Sequence, residues 1–189
     1  MEVNLPTDHT LMLAVRDGDI EKLGVLFERH HKKLYNFFLL DTKNRQMSED
    51  LVQDVFFRML KYRHTYRDKG TFMTWVYTIA RNARIDYFRE HSAQPDQLVE
   101  ADDLISSGPN PEEEYEHECD MSLLRKALSR LPEEKREIIL MSRFDNMRYE
   151  EIAQVLDCTA GTVKVRVYRA MRELTRVYFK LAGGKSHEM

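Results

Sequence analysis

The stretch GTVKVRVYRAMREL, residues 161–174, places Lys164, Arg166, Arg169 and Arg172 together in a chain whose net charge is −3. Read as a helix, at about 100° per residue, it is sharply two-faced. Val163, Val167, Ala170, Leu174, Val177 and Leu181 fall on one narrow face. Gly161, Val165, Tyr168 and Arg172 lie opposite, flanked by Lys164, Arg169 and Arg176. One side is built to pack, and the other is basic and small near its N-terminus. Its acids reduce to Glu173.

Toward the N-terminus, Asp157-Cys158-Thr159 breaks the helical pattern, and a short helix runs before it from Tyr149 to Leu156. The last helix is predicted from near Ala160 to Leu181. A short helix, a tight turn and a basic helix form the helix-turn-helix arrangement. In it the second helix enters the DNA major groove with side chains on base edges, while Lys and Arg hold phosphates. An ordinary solvated face is the competing explanation; Tyr168 set among arginines favours DNA.

Upstream, Met121–Leu131 reads as a helix that Pro132 stops, and Glu133–Phe144 as the next, followed by a polar turn at Asp145-Asn146. In the first half, Leu23, Leu26, Phe27, Leu34 and Phe38 form one apolar stripe after Asp19, the expected cap. Leu51, Val52, Val55, Phe56, Met59 and Leu60 form a second after Ser48, with Glu49 and Asp50 suited to a first turn. Phe72, Trp75, Val76, Ile79, Ala80 and Ala83 form a third after Thr71. Such stripes with short connections give a helical bundle.

Seven Gly and five Pro are few for a β protein, and 42% hydrophobic residues suffice for a core. No basic start leads into an apolar run, and no apolar stretch nears the roughly 20 residues that cross a bilayer. Cys119 and Cys158 lack CxxC spacing and read as free thiols of a reducing compartment. The expected class is all-α, in a cytoplasmic protein without membrane insertion.

Charge divides the chain. Residues 1–91 hold 15 basic and 13 acidic side chains, and residues 119–189 hold 14 and 10. Between them, residues 92–118 carry nine carboxylates, no Lys or Arg and three of the five prolines. This reads as an acidic flexible linker joining two small helical domains. Fully extended, 27 residues reach roughly 90 Å, so the domains need not touch.

The stretch RYEEIAQVLDCTAGTVKVRVYRAMREL resembles the promoter-binding helix-turn-helix, region 4, of bacterial sigma factors. SEDLVQDVFFRMLKYRHTYRDKGTFMTWVYTIARNARIDYFREH resembles region 2 of the same family. Two such motifs in this order, with a short acidic linker, resemble the extracytoplasmic-function type of the sigma-70 family over nearly the whole chain. The resemblance implies a protein that binds core RNA polymerase and directs promoter recognition and DNA melting for a particular regulon. It implies no catalysis, metal or cofactor.

By the same resemblance, Asp50, Gln53, Asp54 and Arg58 face the clamp of the largest polymerase subunit, and the second domain faces the flap of the second largest. Tyr66, Arg67, Lys69, Phe72, Tyr77, Arg81, Asn82 and Arg84 map to the minus-ten element. Tyr66 and Phe72 would stack an extruded base and Asn82 would read its edge. Arg81 and Arg84 would hold backbone, so that stacking worth roughly 1–3 kcal/mol per base offsets unpairing. Tyr77, Arg81 and Arg84 lie away from the apolar stripe, whereas the phase of Trp75 suggests core. Thr162, Lys164, Val165, Tyr168, Arg169 and Arg172 map to the minus-thirty-five element. Val165 replaces the family's common small hydroxyl residue, so its contact would be van der Waals, to a thymine methyl. Arg148 replaces a common capping hydroxyl and leaves that cap to Asn146. The linker acids Asp96, Glu100, Asp102, Asp103 and Glu112–Glu114 would imitate a nucleic-acid backbone inside polymerase. Promoter DNA, core polymerase and an anti-sigma factor are the partners the resemblance implies.

Other readings explain less. Glu28-x-x-His31 and Glu114-x-x-His117 have di-iron spacing, but partner glutamates are not evident. Gly184-Lys185-Ser186 lacks the first glycine of a phosphate loop. A helix-turn-helix regulator with an effector domain shares the C-terminal evidence but leaves Tyr66–Phe88 unexplained.

Overall fold

The computed structural model describes residues 5–67, 71–91 and 113–183, excepting the side chains of Asp41 and of residues 113–120. Among them every regular element is helical. Helices α1 (Asp8–Arg16), α2 (Lys22–Thr42), α3 (Arg45–Lys61) and α4 (Phe72–His91), with a 3₁₀ turn at Arg63–Thr65, form one bundle. Helices α5 (Glu113–Ser129), α6 (Glu133–Ile139), α7 (Tyr149–Val155) and α8 (Ala160–Leu181) form the second, and a π-type turn at Leu140–Phe144 extends α6.

In the first bundle α2 packs on α3, α3 on α4, and α1 on α2. Helix α1 is absent from the sequence expectation. Thr7 caps it, accepting from the Thr10 amide at 3.2 Å, and Leu11, Met12 and Val15 close the end of the core. Fully burying such side chains stabilises by roughly 1.5–3 kcal/mol each, which is how nine residues hold a helix that would not persist alone.

Two helix starts in this bundle differ from expectation. Asp19 does not cap α2: the helix begins at Lys22, and the Asp19 carboxylate instead pairs with Lys22 at 3.6 Å. Ser48 does not cap α3, because Asn44 gets there first, accepting from the Met47 amide at 3.0 Å. Ser48 lies buried one turn inside, its hydroxyl donating to the Asn44 carbonyl at 2.6 Å. Glu49 and Asp50 are therefore second-turn residues. Thr71 does cap α4, accepting from the Thr74 amide at 3.3 Å.

The second bundle packs α5, α6 and α7 around α8. Its first helix begins at Glu113, earlier than Met121. The remaining linker positions, 92–112, and Lys69 lie outside the described residues.

The two bundles meet along a seam where α4 touches α7 and α2 touches α5. The freedom to stay apart that the linker length suggests is not taken up. The reason lies in the side chains of α4.

Candidate nucleic-acid interface

Helix α8 follows a turn in which Asp157 takes the left-handed conformation (φ 48°) and Thr159 accepts from the Thr162 amide at 3.1 Å. Val163, Val167, Ala170 and Leu174 are buried, as the stripe required. Lys164, Val165, Arg166, Tyr168, Arg169 and Arg172 are exposed, and Thr162 is half-buried at the helix start. The Arg172 guanidinium sits 5.9 Å from the centre of the Tyr168 ring, a cation–π arrangement that splays it along the face. Glu173, the helix's one acid, turns away to bond Lys135 of α6, which holds its carboxyl below the usual range. The outward face is thus cationic with an aromatic and a valine at its centre, a surface suited to phosphates on its flanks and base edges between them.

Helix α7 places this face. Its N-cap residue, Arg148, offers no side-chain acceptor, and Glu151 supplies the reciprocal bond by accepting from the Arg148 amide at 2.7 Å. Asn146 is not the cap: it takes the left-handed turn position (φ 53°).

On α4 the expected minus-ten residues separate. Arg67 and Asn82 are exposed. Tyr66 and Phe72 are 2% and 4% exposed, so in this structure they do not stand open as a stacking platform. Tyr66 hydrogen-bonds His9 at 2.8 Å and packs edge-on against Trp75, and Phe72 lies under His30 with ring centres 5.0 Å apart. The cause is α1, which brings His9 onto this end of the bundle. Trp75 is half-buried there.

Tyr77 and Arg84 are covered as well. They lie away from the stripe of their own helix, yet are 1% and 3% exposed because the second bundle covers them. Tyr77 stands edge-on to Phe37 (5.2 Å) and donates its hydroxyl to Asp145; Arg84 donates to Glu133. Arg81 Nε lies 3.3 Å from Glu137 Oε1, an ion pair without hydrogen-bond alignment. Burial, then the Asp145 charge, raises the Tyr77 hydroxyl well above its ordinary pKa. Burial also raises Asp145, against the opposing pull of Tyr77, Lys33 and His30.

Helix α3 presents Asp50 and Gln53 to solvent. Arg58 is fixed between Asp54 (2.8 Å) and Asp86 of α4 (2.7 Å). Burial works against the charge of Arg58, and its two carboxylate partners outweigh this. Phe57, 64% exposed, projects beside these groups. The helical stripe of α3 leaves Phe57 out, and an apolar residue off that stripe is the signal the sequence offers. His31 Nδ1 bonds the Phe27 carbonyl at 2.8 Å. Among the described residues no three His, Cys, Asp or Glu gather to hold a metal, and no helix is long and apolar enough to cross a membrane.

Known proteins share this organisation. Residues 26–94 match the family described as Sigma-70 region 2, and residues 121–174 match Sigma-70, region 4. The ECF RNA polymerase sigma-E factor of Escherichia coli (strain K12) is 29% identical over 173 residues, covering 87% of this chain and 90% of that protein. The ECF RNA polymerase sigma factor SigM of Bacillus subtilis (strain 168) is 28% identical over 155 residues, 81% of this chain and 93% of that one. Among solved structures, CnrH in complex with the cytosolic domain of CnrY has a similar fold (TM-score 0.66, 20% identity, 90% of this chain and 96% of that chain). So does the sigma factor RpoE with the anti-sigma factor NepR from Bartonella quintana (TM-score 0.63, 21% identity, 82% and 94%). With both regions matched in order, on two helical bundles and beside a cationic recognition helix, the chain belongs to the sigma-70 family, as a sigma factor of the extracytoplasmic-function type that directs transcription initiation.

Proposed function

We propose that the chain divides promoter recognition between its bundles, α8 reading the minus-thirty-five element as duplex and α4 with its preceding loop capturing the melted minus-ten strand. The outward face of α8 carries this reading, being cationic while the opposite face is wholly spent on packing. Lys164, Arg169 and Arg172 lie to either side of Val165 and Tyr168, so phosphate contacts would fix register while the central pair meets bases. On α4, Asn82 is the exposed amide available to a flipped base, and Arg67 stands at the loop before it.

For the polymerase we propose α3. Asp50 and Gln53 are open, and Arg58 locks Asp54 in place, so little side-chain entropy is lost when a cationic clamp surface docks. Phe57 would supply the apolar centre of that contact. The second bundle would meet the flap. Because the similar RpoE structure was solved with an anti-sigma factor, a regulatory partner of that class is also proposed, and the cytoplasm as the setting.

The test is reconstitution with bacterial core polymerase on a library of genomic fragments. Specific initiation is expected from the parent, with weakened core binding on reversing Asp50 and Asp54 to Lys at unchanged helicity. Absence of specific initiation on every fragment refutes the proposal.

A further inference from the structure

Two aromatic residues bracket the connection that leads into α4, and the start of α1 holds them both. Tyr66 stands directly before Arg67, and Phe72 opens α4. Both rings are buried, and each meets a histidine. The Tyr66 hydroxyl shares a 2.8 Å hydrogen bond with His9 Nδ1, and the Phe72 ring lies 5.0 Å, centre to centre, from that of His30. Asp8, the neighbour of His9, completes the arrangement. Its carboxylate accepts from His30 Nε2 at 2.7 Å on one oxygen and from Arg29 at 2.8 Å on the other. Arg29 also donates to the Pro6 carbonyl at 2.9 Å, which ties down the chain just ahead of α1. We infer that Asp8 and His9 are positioning residues for promoter melting: acting through His30–Phe72 and through Tyr66, they set where Arg67 and the first turn of α4 stand before the strand arrives.

The inference rests on the minus-ten reading of α4 given above, and three features support it. First, packing alone does not call for these bonds. Leu11, Met12 and Val15 already bury the apolar side of α1, so the polar groups at its start add direction rather than area. A buried tyrosine hydroxyl needs a partner, but a water or a backbone carbonyl would satisfy it. Here adjacent residues of one helix serve both aromatics instead. Second, His30 is set by Asp8. The ring is 6% exposed and its Nδ1 has no hydrogen-bond partner among the described residues, so the bond from Nε2 to Asp8 fixes its tautomer. Third, the anchored rings touch the helix that carries the site. Tyr66 packs edge-on against Trp75 of α4 at 5.1 Å, and Thr71 caps that helix beside Phe72. Arg67 and Asn82 are left exposed on this held frame. Groups fixed before a ligand arrives lose less freedom on binding and meet it in the productive geometry.

The test uses holoenzyme assembled from core polymerase and the full-length chain, on a genomic fragment where the parent initiates. A 2-aminopurine in the minus-ten segment of that fragment reads melting. Trp75, the chain's single tryptophan, reads the place of Tyr66 in the free protein. His9→Leu removes the hydrogen bond, and Tyr66→Phe removes it from the other side. His9→Asn returns a polar atom near the position of Nδ1. Thr7→Ala strips the cap of α1 and controls for helix stability. His9→Leu should shift Trp75 emission, and both bond-breaking variants should slow melting about five- to tenfold, the worth of one buried hydrogen bond. Combined, they should do no more than either alone. Asp8→Leu should slow melting to a similar degree, whereas His9→Asn and Asp8→Asn should recover most of the parent's rate. Thr7→Ala should melt DNA like the parent, and minus-thirty-five duplex binding should be equal in all. Parent-like melting by His9→Leu and Tyr66→Phe overturns the inference, as does an equal loss in Thr7→Ala or no recovery in the asparagine variants. A parent that initiates on no fragment brings down the promoter reading and this inference with it; a parent that initiates beside an equally active His9→Leu brings down this inference alone.

Discussion

Helices α4 and α8 both carry cationic and aromatic residues on the side away from their own apolar stripe, and the fold treats the two sides oppositely. Tyr168 of α8 is 63% exposed and Tyr77 of α4 is 1% exposed. Arg169 reaches solvent, whereas Arg84 reaches Glu133. A helix's own period tells which side it packs on within its bundle, but not whether another bundle will claim the remaining side. Polar faces in a two-domain chain compete for each other as well as for ligands.

The comparison breaks most visibly at the two tyrosines. Tyr77→Ala removes a buried ring that packs against Phe37 and should lower unfolding free energy by about 3–5 kcal/mol in denaturant titration. Tyr168→Ala should stay within about 0.5 kcal/mol of the parent, as surface substitutions do. Equal losses would mean that the two faces are not different in kind. Next in size is the effect on DNA. Arg169→Ala should cost about 1–3 kcal/mol of minus-thirty-five duplex binding and relax preference at one position. Arg84→Ala should leave that binding unchanged. A uniform loss over all sequences would make Arg169 a phosphate contact.

A finer contrast lies within the seam. Tyr77→Phe deprives the buried Asp145 carboxylate of its donor and should weaken closure by about 1–3 kcal/mol, whereas Asp145→Asn keeps an acceptor for the hydroxyl and should not. The smallest effect is that of pH. Asp145 is raised in the closed form, so its contribution to closure is fully present below the ordinary carboxylate value of 3.8 and is lost as pH rises through the raised value. Tyr77 of α4 and Lys33 and His30 of α2 face it and moderate the shift. The contribution of Asp145 itself should therefore grow on mild acidification, so the parent should gain in seam stability relative to Asp145→Asn in scattering measured across the same range.

Much of the recognition helix and its support is legible in the amino-acid sequence. The limits of α8 and α7 and the turn between them follow from the spacing of Val163, Val167, Ala170 and Leu174 and from Thr159, because the signals there are local. Local ambiguity explains the misplaced starts: near α3 both Asn44 and Ser48 can cap, and the earlier one wins by adding a turn. Helix α1 hides in the sequence because nine residues with three core side chains give a weak stripe. The seam is illegible there for a different reason. Arg84 and Glu133 are 49 residues apart, and nothing in either neighbourhood points to the other.

Hydroxyl-radical labelling read by mass spectrometry at Tyr77 and Tyr168 addresses the difference between the two faces most directly. In the free protein Tyr168 should label rapidly and Tyr77 should be protected. Labelling of Tyr77 as fast as Tyr168 in the free protein would contradict a covered α4 face.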